Sequence, residues 1–116
     1  MHKVYHLSSC STCQKIIREL GLAEKGFDMQ DIKQENISAK ELDAIKEKVG
    51  SYEALFSRRA MKFRGMGLDK LVLTEQDYRQ HILEEYTFLK RPVILIGDAV
   101  FVGNAKATTA EAAKLL

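Results

Sequence analysis

The only two cysteines of the chain stand in the tetrad Cys10-Ser11-Thr12-Cys13, directly after the apolar run Val4-Tyr5-His6-Leu7. A thiol at or just before the first turn of a helix faces unpaired backbone N–H groups and the positive end of the helix dipole. Both favour thiolate over thiol, and the thiolate is the nucleophile. One helical turn brings Cys13 beside Cys10, near the roughly 5.5–6 Å Cα separation of a disulfide, so the second sulfur can displace whatever the first has attacked. The spacing therefore points to redox chemistry, with Cys10 as nucleophile and Cys13 as resolving thiol.

Half of a zinc site is the other use of such a pair, completed here by His2 and His6. On a strand rising about 3.3 Å per residue those histidines stand roughly 13 Å apart, and the chain has no second CxxC, so no metal is expected. His6, four residues before Cys10, has two readings. It could order the cysteine loop or lower the thiol pKa through a hydrogen bond, or it could be a core histidine on a buried strand. Arg91 precedes the only proline, Pro92, at the start of an apolar strand, which leaves a guanidinium at the sheet's edge near the CxxC helix. Arg58 and Arg59 are either a solvated pair at a helix end or supply one guanidinium to the site. Asp28, Asp31 and Glu35 form no obvious carboxylate dyad and read as solvated faces.

The elements that must position these groups follow from local patterns. Residues 3–8 read as a strand, and 12–22 as a helix with Cys13, Ile16, Ile17 and Leu20 inward, ending at Gly21. Residues 27–33 read as a second strand. Ser38-Ala39-Lys40-Glu41 is a capping box for a helix burying Leu42, Ile45 and Val49. Ser51 to Phe56 reads as a helical turn, the Gly65/Gly67 segment as a bend, and Thr74 to Asp77 as a second cap before a helix with Tyr78, Ile82 and Leu83 inward. Tyr52, Phe56 and Phe63 read as core. The runs 93–96 and 99–102 flank Gly97-Asp98 as a hairpin, and Thr108 to Glu111 caps a final helix. A parallel βαβ start and an antiparallel hairpin, separated by a helical insert, predict a four-stranded mixed α/β sheet with helices on its faces, the thioredoxin-like layout. In that fold a cis-proline at this point lies against the CxxC helix, whereas a plain strand-edge proline would be trans.

With 116 residues, of which 46% are hydrophobic and 29% charged, the chain is expected to form one globular domain. A net charge of +2 is too mild to argue for direct nucleic-acid or membrane binding. No stretch approaches the roughly 20 apolar residues of a membrane span, and the first residues lack a secretory pattern. A cytoplasmic location is the expectation, and there a CxxC pair is reactive rather than a structural staple.

Over nearly its whole length the chain resembles the arsenate reductase-like family that contains ArsC, YffB and the regulator Spx. The match is carried by Cys10-Ser11-Thr12-Cys13, by Leu55-Phe56-Ser57-Arg58-Arg59, and by Lys90-Arg91-Pro92-Val93-Ile94 with Phe101-Val102-Gly103. The resemblance implies a thioredoxin-like core, about 1–34 and 86–116, with a helical insert at about 35–85. It implies Cys10 as nucleophile, substrate-binding roles for Arg59, Arg91 and Pro92, no bound cofactor, and glutathione or a glutaredoxin or thioredoxin as reductant. The substrate it implies is an arsenate-type oxyanion, a disulfide or a glutathionylated thiol. The alternative it carries is a redox sensor of the Spx kind that binds RNA polymerase. Two positions depart from the ArsC pattern: Gln14 stands where an arginine follows the nucleophile by four residues, and Val102-Gly103 where the last strand carries another. Neither an amide nor the neighbouring Lys15 reproduces bidentate guanidinium recognition of a tetrahedral oxyanion.

Overall fold

A computed structural model describes all residues, 1–116. The chain divides into two compact units, residues 1–35 with 91–116, and residues 36–90. No helix is long and apolar enough to cross a membrane.

The first unit is built on a four-stranded mixed sheet in the order β2-β1-β3-β4, from β1 (His2–His6), β2 (Asp28–Asp31), β3 (Val93–Ile96) and β4 (Ala99–Val102). β1 pairs parallel with β2, setting Val4 opposite Met29, and antiparallel with β3, setting Val4 opposite Ile94. β3 and β4 form the expected hairpin, with Gly97 at φ 60° in its turn, a value that an L side chain would strain. Strand β1 is shorter than the apolar run suggests because the chain turns back after Leu7, whose carbonyl accepts the Cys10 N–H at 2.9 Å.

Helix α1 (Ser11–Leu20) follows that turn and buries Cys13, Ile16, Ile17 and Leu20 along one stripe. It ends as a left-handed cap at Gly21, φ 64°, with Gly21 N–H on the Arg18 carbonyl and Leu22 N–H on the Ile17 carbonyl, the paired bonds of a Schellman motif. The stripe of α1 packs on one face of the sheet with Val4, Ile94, Ile96 and Phe27, and Ala112 of the last helix joins the same cluster. Burying Val, Leu or Ile side chains of this kind contributes roughly 1.5–3 kcal/mol each. The last helix runs from Lys106 to Ala113 with Ala105 at its N-cap, three residues before the expected Thr108 cap. Its start carries no side-chain cap, and the Thr109 hydroxyl instead donates back to the Ala105 carbonyl at 3.2 Å.

The second unit holds α2 (Ala39–Val49), α3 (Met61–Gly65) and α4 (Glu75–Glu84), joined by 3₁₀ turns at Glu53–Leu55, Leu68–Lys70 and Tyr86–Phe88. The last helix above is therefore α5. Both expected caps are complete boxes, Ser38 with Glu41 and Thr74 with Asp77. The stretch leading into the expected Gly65/Gly67 bend forms α3, and Gly67 then turns the chain at φ 71°. At the centre Phe56 is fully buried, stacked on Phe88 with centroids 5.1 Å apart and tilted against Tyr78 at 4.9 Å. Phe63 meets its edge at 5.9 Å. Phe88 draws residues 86–90 into this unit, and Lys90 N–H bonds the Leu55 carbonyl at 2.8 Å, so the segment 86–90 lies with the helices rather than with the sheet.

Candidate active site

Cys10 is the N-cap residue of α1, held in extended backbone at φ −89° and ψ 104°. Its N–H is tied to the Leu7 carbonyl and its carbonyl accepts the Gln14 N–H at 3.1 Å, so the loop closes onto the first helical turn from both sides. Both cysteines are free thiols. Cys10 is half-buried, whereas Cys13 is fully buried as part of the helix's inner stripe.

The two sulfurs are held in different states. Burial pushes the Cys10 thiol up, but the Cys13 N–H and S–H and the charge and hydrogen bond of Arg91 outweigh it, and Cys10 ends below the ordinary thiol range. Cys13 moves the other way, to about 12, because it is buried and because its proton is shared with an anionic neighbour; Leu7 and Arg91 only partly counter this. Cys10 is thus the sulfur that ionises first, and Cys13 the one that keeps its proton and donates to it. Although Cys10 has no full side-chain hydrogen bond capping α1, the helix's first N–H groups still act on it through Cys13.

Arg91 reaches the same place from the start of β3, and Pro92 follows it in the chain. Pro92 is buried at the start of β3, the Arg91–Pro92 peptide bond is cis, and the Pro92 carbonyl accepts the Gly103 N–H at 2.9 Å. Cys10, Cys13, Arg91 and Pro92 therefore all belong to the first unit, with the first three interacting directly. Arg59 lies exposed in the second unit. Its neighbour Arg58 bonds Glu53 and the Tyr78 hydroxyl, both at 2.7 Å, which accounts for one of the two adjacent arginines as a structural tie.

His6 does not bond Cys10. Its Nδ1 lies 3.1 Å from the Gln14 amide nitrogen, which also donates to the Leu7 carbonyl at 3.0 Å. Burial holds His6 below its ordinary range, and the Asp31 carboxylate only partly restores it. Gln14 is thus more than the position of a missing arginine, and its place one turn after Cys10 is the sequence signal for this contact. Lys15 is exposed and stands 3.9 Å from Glu19 along the same helix. The edge of the His2 ring meets Phe27 at a centroid distance of 5.0 Å, and no three His, Cys, Asp or Glu side chains converge on a metal-sized site.

The sequence profile of the ArsC family matches residues 5–112, a span that contains every element of this site. The chain belongs to the ArsC family. Solved structures agree in fold. A candidate ArsC family related protein from Bacteroides fragilis superposes with a TM-score of 0.83 at 22% identity, over 99% of this chain and 97% of that one. A YffB protein superposes with a TM-score of 0.79 at 24% identity over 100% of both chains. An arsenate reductase from Vibrio cholerae gives 0.74 at 17% identity, over 99% and 97%. No protein with a curated description matches the sequence. The ArsC assignment carries with it the thioredoxin-like fold that the CxxC junction and the hairpin predict.

Proposed function

We propose that this ArsC-family chain is a thiol-dependent reductase whose preferred substrates are disulfides and glutathionylated thiols. The observation that carries this reading is the contact of Cys10 with Cys13 and Arg91, which lowers the Cys10 thiol pKa while that of buried Cys13 is raised. The Cys10 thiolate attacks one sulfur of the substrate disulfide, forming a mixed disulfide and expelling the other sulfur as a thiolate. With Cys10 in a neutral disulfide, the negative charge that held the proton on Cys13 is gone, and the departing thiolate can take that proton. The Cys13 thiolate then attacks Cys10, expels the second sulfur as a thiolate that takes its proton from water, and closes the Cys10–Cys13 disulfide. Two electrons from glutathione or a glutaredoxin- or thioredoxin-type protein return both thiols.

Arsenate is the weaker candidate because Gln14 turns its amide protons inward, onto His6 and the Leu7 carbonyl, so Arg91 is the guanidinium that acts on Cys10. Pro92 enters as the residue that shapes the substrate groove beside Arg91, and Arg59 as an anion-binding residue, both on the family resemblance. An NADPH-coupled assay comparing arsenate, glutathione disulfide and a glutathionylated peptide tests the reading. Turnover is expected with the two disulfides, none in Cys10→Ser, and a trapped mixed disulfide by mass spectrometry in Cys13→Ser. Full turnover by Cys10→Ser overturns the mechanism. A single oxidation without turnover, together with capture of purified RNA polymerase, replaces the enzyme with the redox-sensor alternative.

A further inference from the structure

The side-chain nitrogen of Gln14 has two protons and two partners. One partner, the Leu7 carbonyl, can only accept, which fixes the amide's orientation without appeal to any hydrogen position. The second proton therefore points at His6 Nδ1, which must accept it, so the ring carries its own proton on Nε2. The Leu7 carbonyl that receives Gln14 is also the one that holds the Cys10 N–H, at 2.9 Å. The strand end, the cysteine turn and the first turn of α1 thus meet on one acceptor and one amide. His6 itself is anchored from the other side, its carbonyl accepting the Ile32 N–H at 2.9 Å.

We propose that Gln14 is the positioning residue of the cysteine loop, its amide bridging the His6 ring and the Leu7 carbonyl so that Cys10 is held against Cys13 only while His6 is neutral. A protonated ring presents N–H at both nitrogens, and Nδ1–H facing the amide N–H is a donor against a donor. The amide cannot turn over to accept it, because its oxygen would then face the Leu7 carbonyl oxygen. Protonation of His6 therefore breaks the bridge. Around the ring, β2 contributes the Asp31 carboxylate, which also takes the Ser8 N–H at 3.5 Å; α1 contributes the uncharged Gln14; and β3 meets the end of β1 through Val93, which is apolar. Burial lowers the His6 pKa more than Asp31 raises it, so the bridge survives at neutral pH and opens on acidification. This rests on the thiol chemistry above only in taking Cys10 as the reactive sulfur.

The test uses the whole chain and iodoacetamide, with no substrate. Long-range nitrogen–proton NMR of the wild-type ring at pH 7.5 should show His6 as the Nε2–H tautomer; the Nδ1–H tautomer overturns the proposal without any variant. Gln14→Leu keeps the side chain's bulk and a good helix former while removing the amide. It should slow Cys10 alkylation at pH 7 about three- to tenfold, the range of one net hydrogen bond. From pH 7.5 to 5 the wild-type rate should fall more steeply than one ionisation allows, and Gln14→Leu should follow a single-ionisation curve. Identical rates and identical profiles overturn the proposal. Because no turnover is measured, an inactive protein that shows the His6 signature sinks the reductase reading alone, and an active one without it sinks only the bridge.

Discussion

Cys13 offers its thiol proton to the Cys10 sulfur, and that one contact moves the two side chains in opposite directions. Iodoacetamide should therefore label Cys10 at lower pH than the roughly 8.5 of a free thiol, and Cys13 only after Cys10 and at higher pH. Peptide mapping across a pH series checks this. Equal labelling of both sulfurs at every pH contradicts it.

The same shifts bear on stability. A thiol depressed on folding adds stability that is present above its unfolded pKa and disappears as pH falls through the folded value, so Cys10 weakens the fold on the acid side of its own titration. For Cys13 the sign reverses. Its contribution is full below the ordinary thiol pKa and drains away as pH rises toward about 12. Cys13→Ala should flatten the alkaline limb of a denaturant-midpoint profile relative to wild type, and a limb of unchanged slope argues against a strongly raised Cys13.

Arg91 favours the Cys10 thiolate by charge and by hydrogen bond. Arg91→Ala should raise the pH midpoint of Cys10 alkylation and slow labelling at pH 7 by about threefold or more, one pKa unit being a tenfold change in thiolate fraction below the midpoint. Arg91→Lys should recover part of the loss, since it keeps the charge without the planar fork. Stopped-flow alkylation separates the three proteins, and an unchanged midpoint in Arg91→Ala removes the arginine from the site.

In the second unit Asp43 receives Arg79 at 2.8 and 3.1 Å and the Tyr52 hydroxyl at 2.7 Å, which holds its carboxyl down at about 2. Being depressed, it supports the fold above the ordinary carboxylate pKa, and the support fades between roughly pH 4 and 2. Asp43→Asn should lower Tm at pH 7 by more than Glu47→Gln, whose carboxylate makes one ion pair, and the difference should shrink steadily as pH falls from about 4 through 2. A difference independent of pH points to packing instead of charge.

Phe56, fully buried among three aromatic rings, is the side chain whose loss should cost most there. Phe56→Ala is expected to destabilise by about 3–5 kcal/mol in urea unfolding. A cost near that of a surface substitution contradicts this placement.

What was legible in the sequence was what neighbouring residues decide among themselves. The boxes at Ser38–Glu41 and Thr74–Asp77 close within four residues, the hairpin turns on Gly97-Asp98, and the CxxC lies where an apolar run meets a helical stripe. What was not legible depends on partners far along the chain or on the absence of a local signal. The His6–Gln14 contact joins side chains eight residues apart across a turn, and Asp43 meets Arg79 thirty-six residues away. Helix α5 starts on an alanine with no capping side chain, so nothing in its residue types marks the boundary that Thr108 suggests. Helix α3 hides in a basic stretch with no buried residue of its own.

β1 sits inside the sheet, between β2 and β3, and Val4 and Tyr5 are sealed from water. The reactive turn is thus suspended from a strand whose amides are expected to be among the last in the unit to exchange with deuterium. Heat or denaturant that frays β4 or α5 should leave the thiol pair in register, and chemical competence should outlast the outer strand.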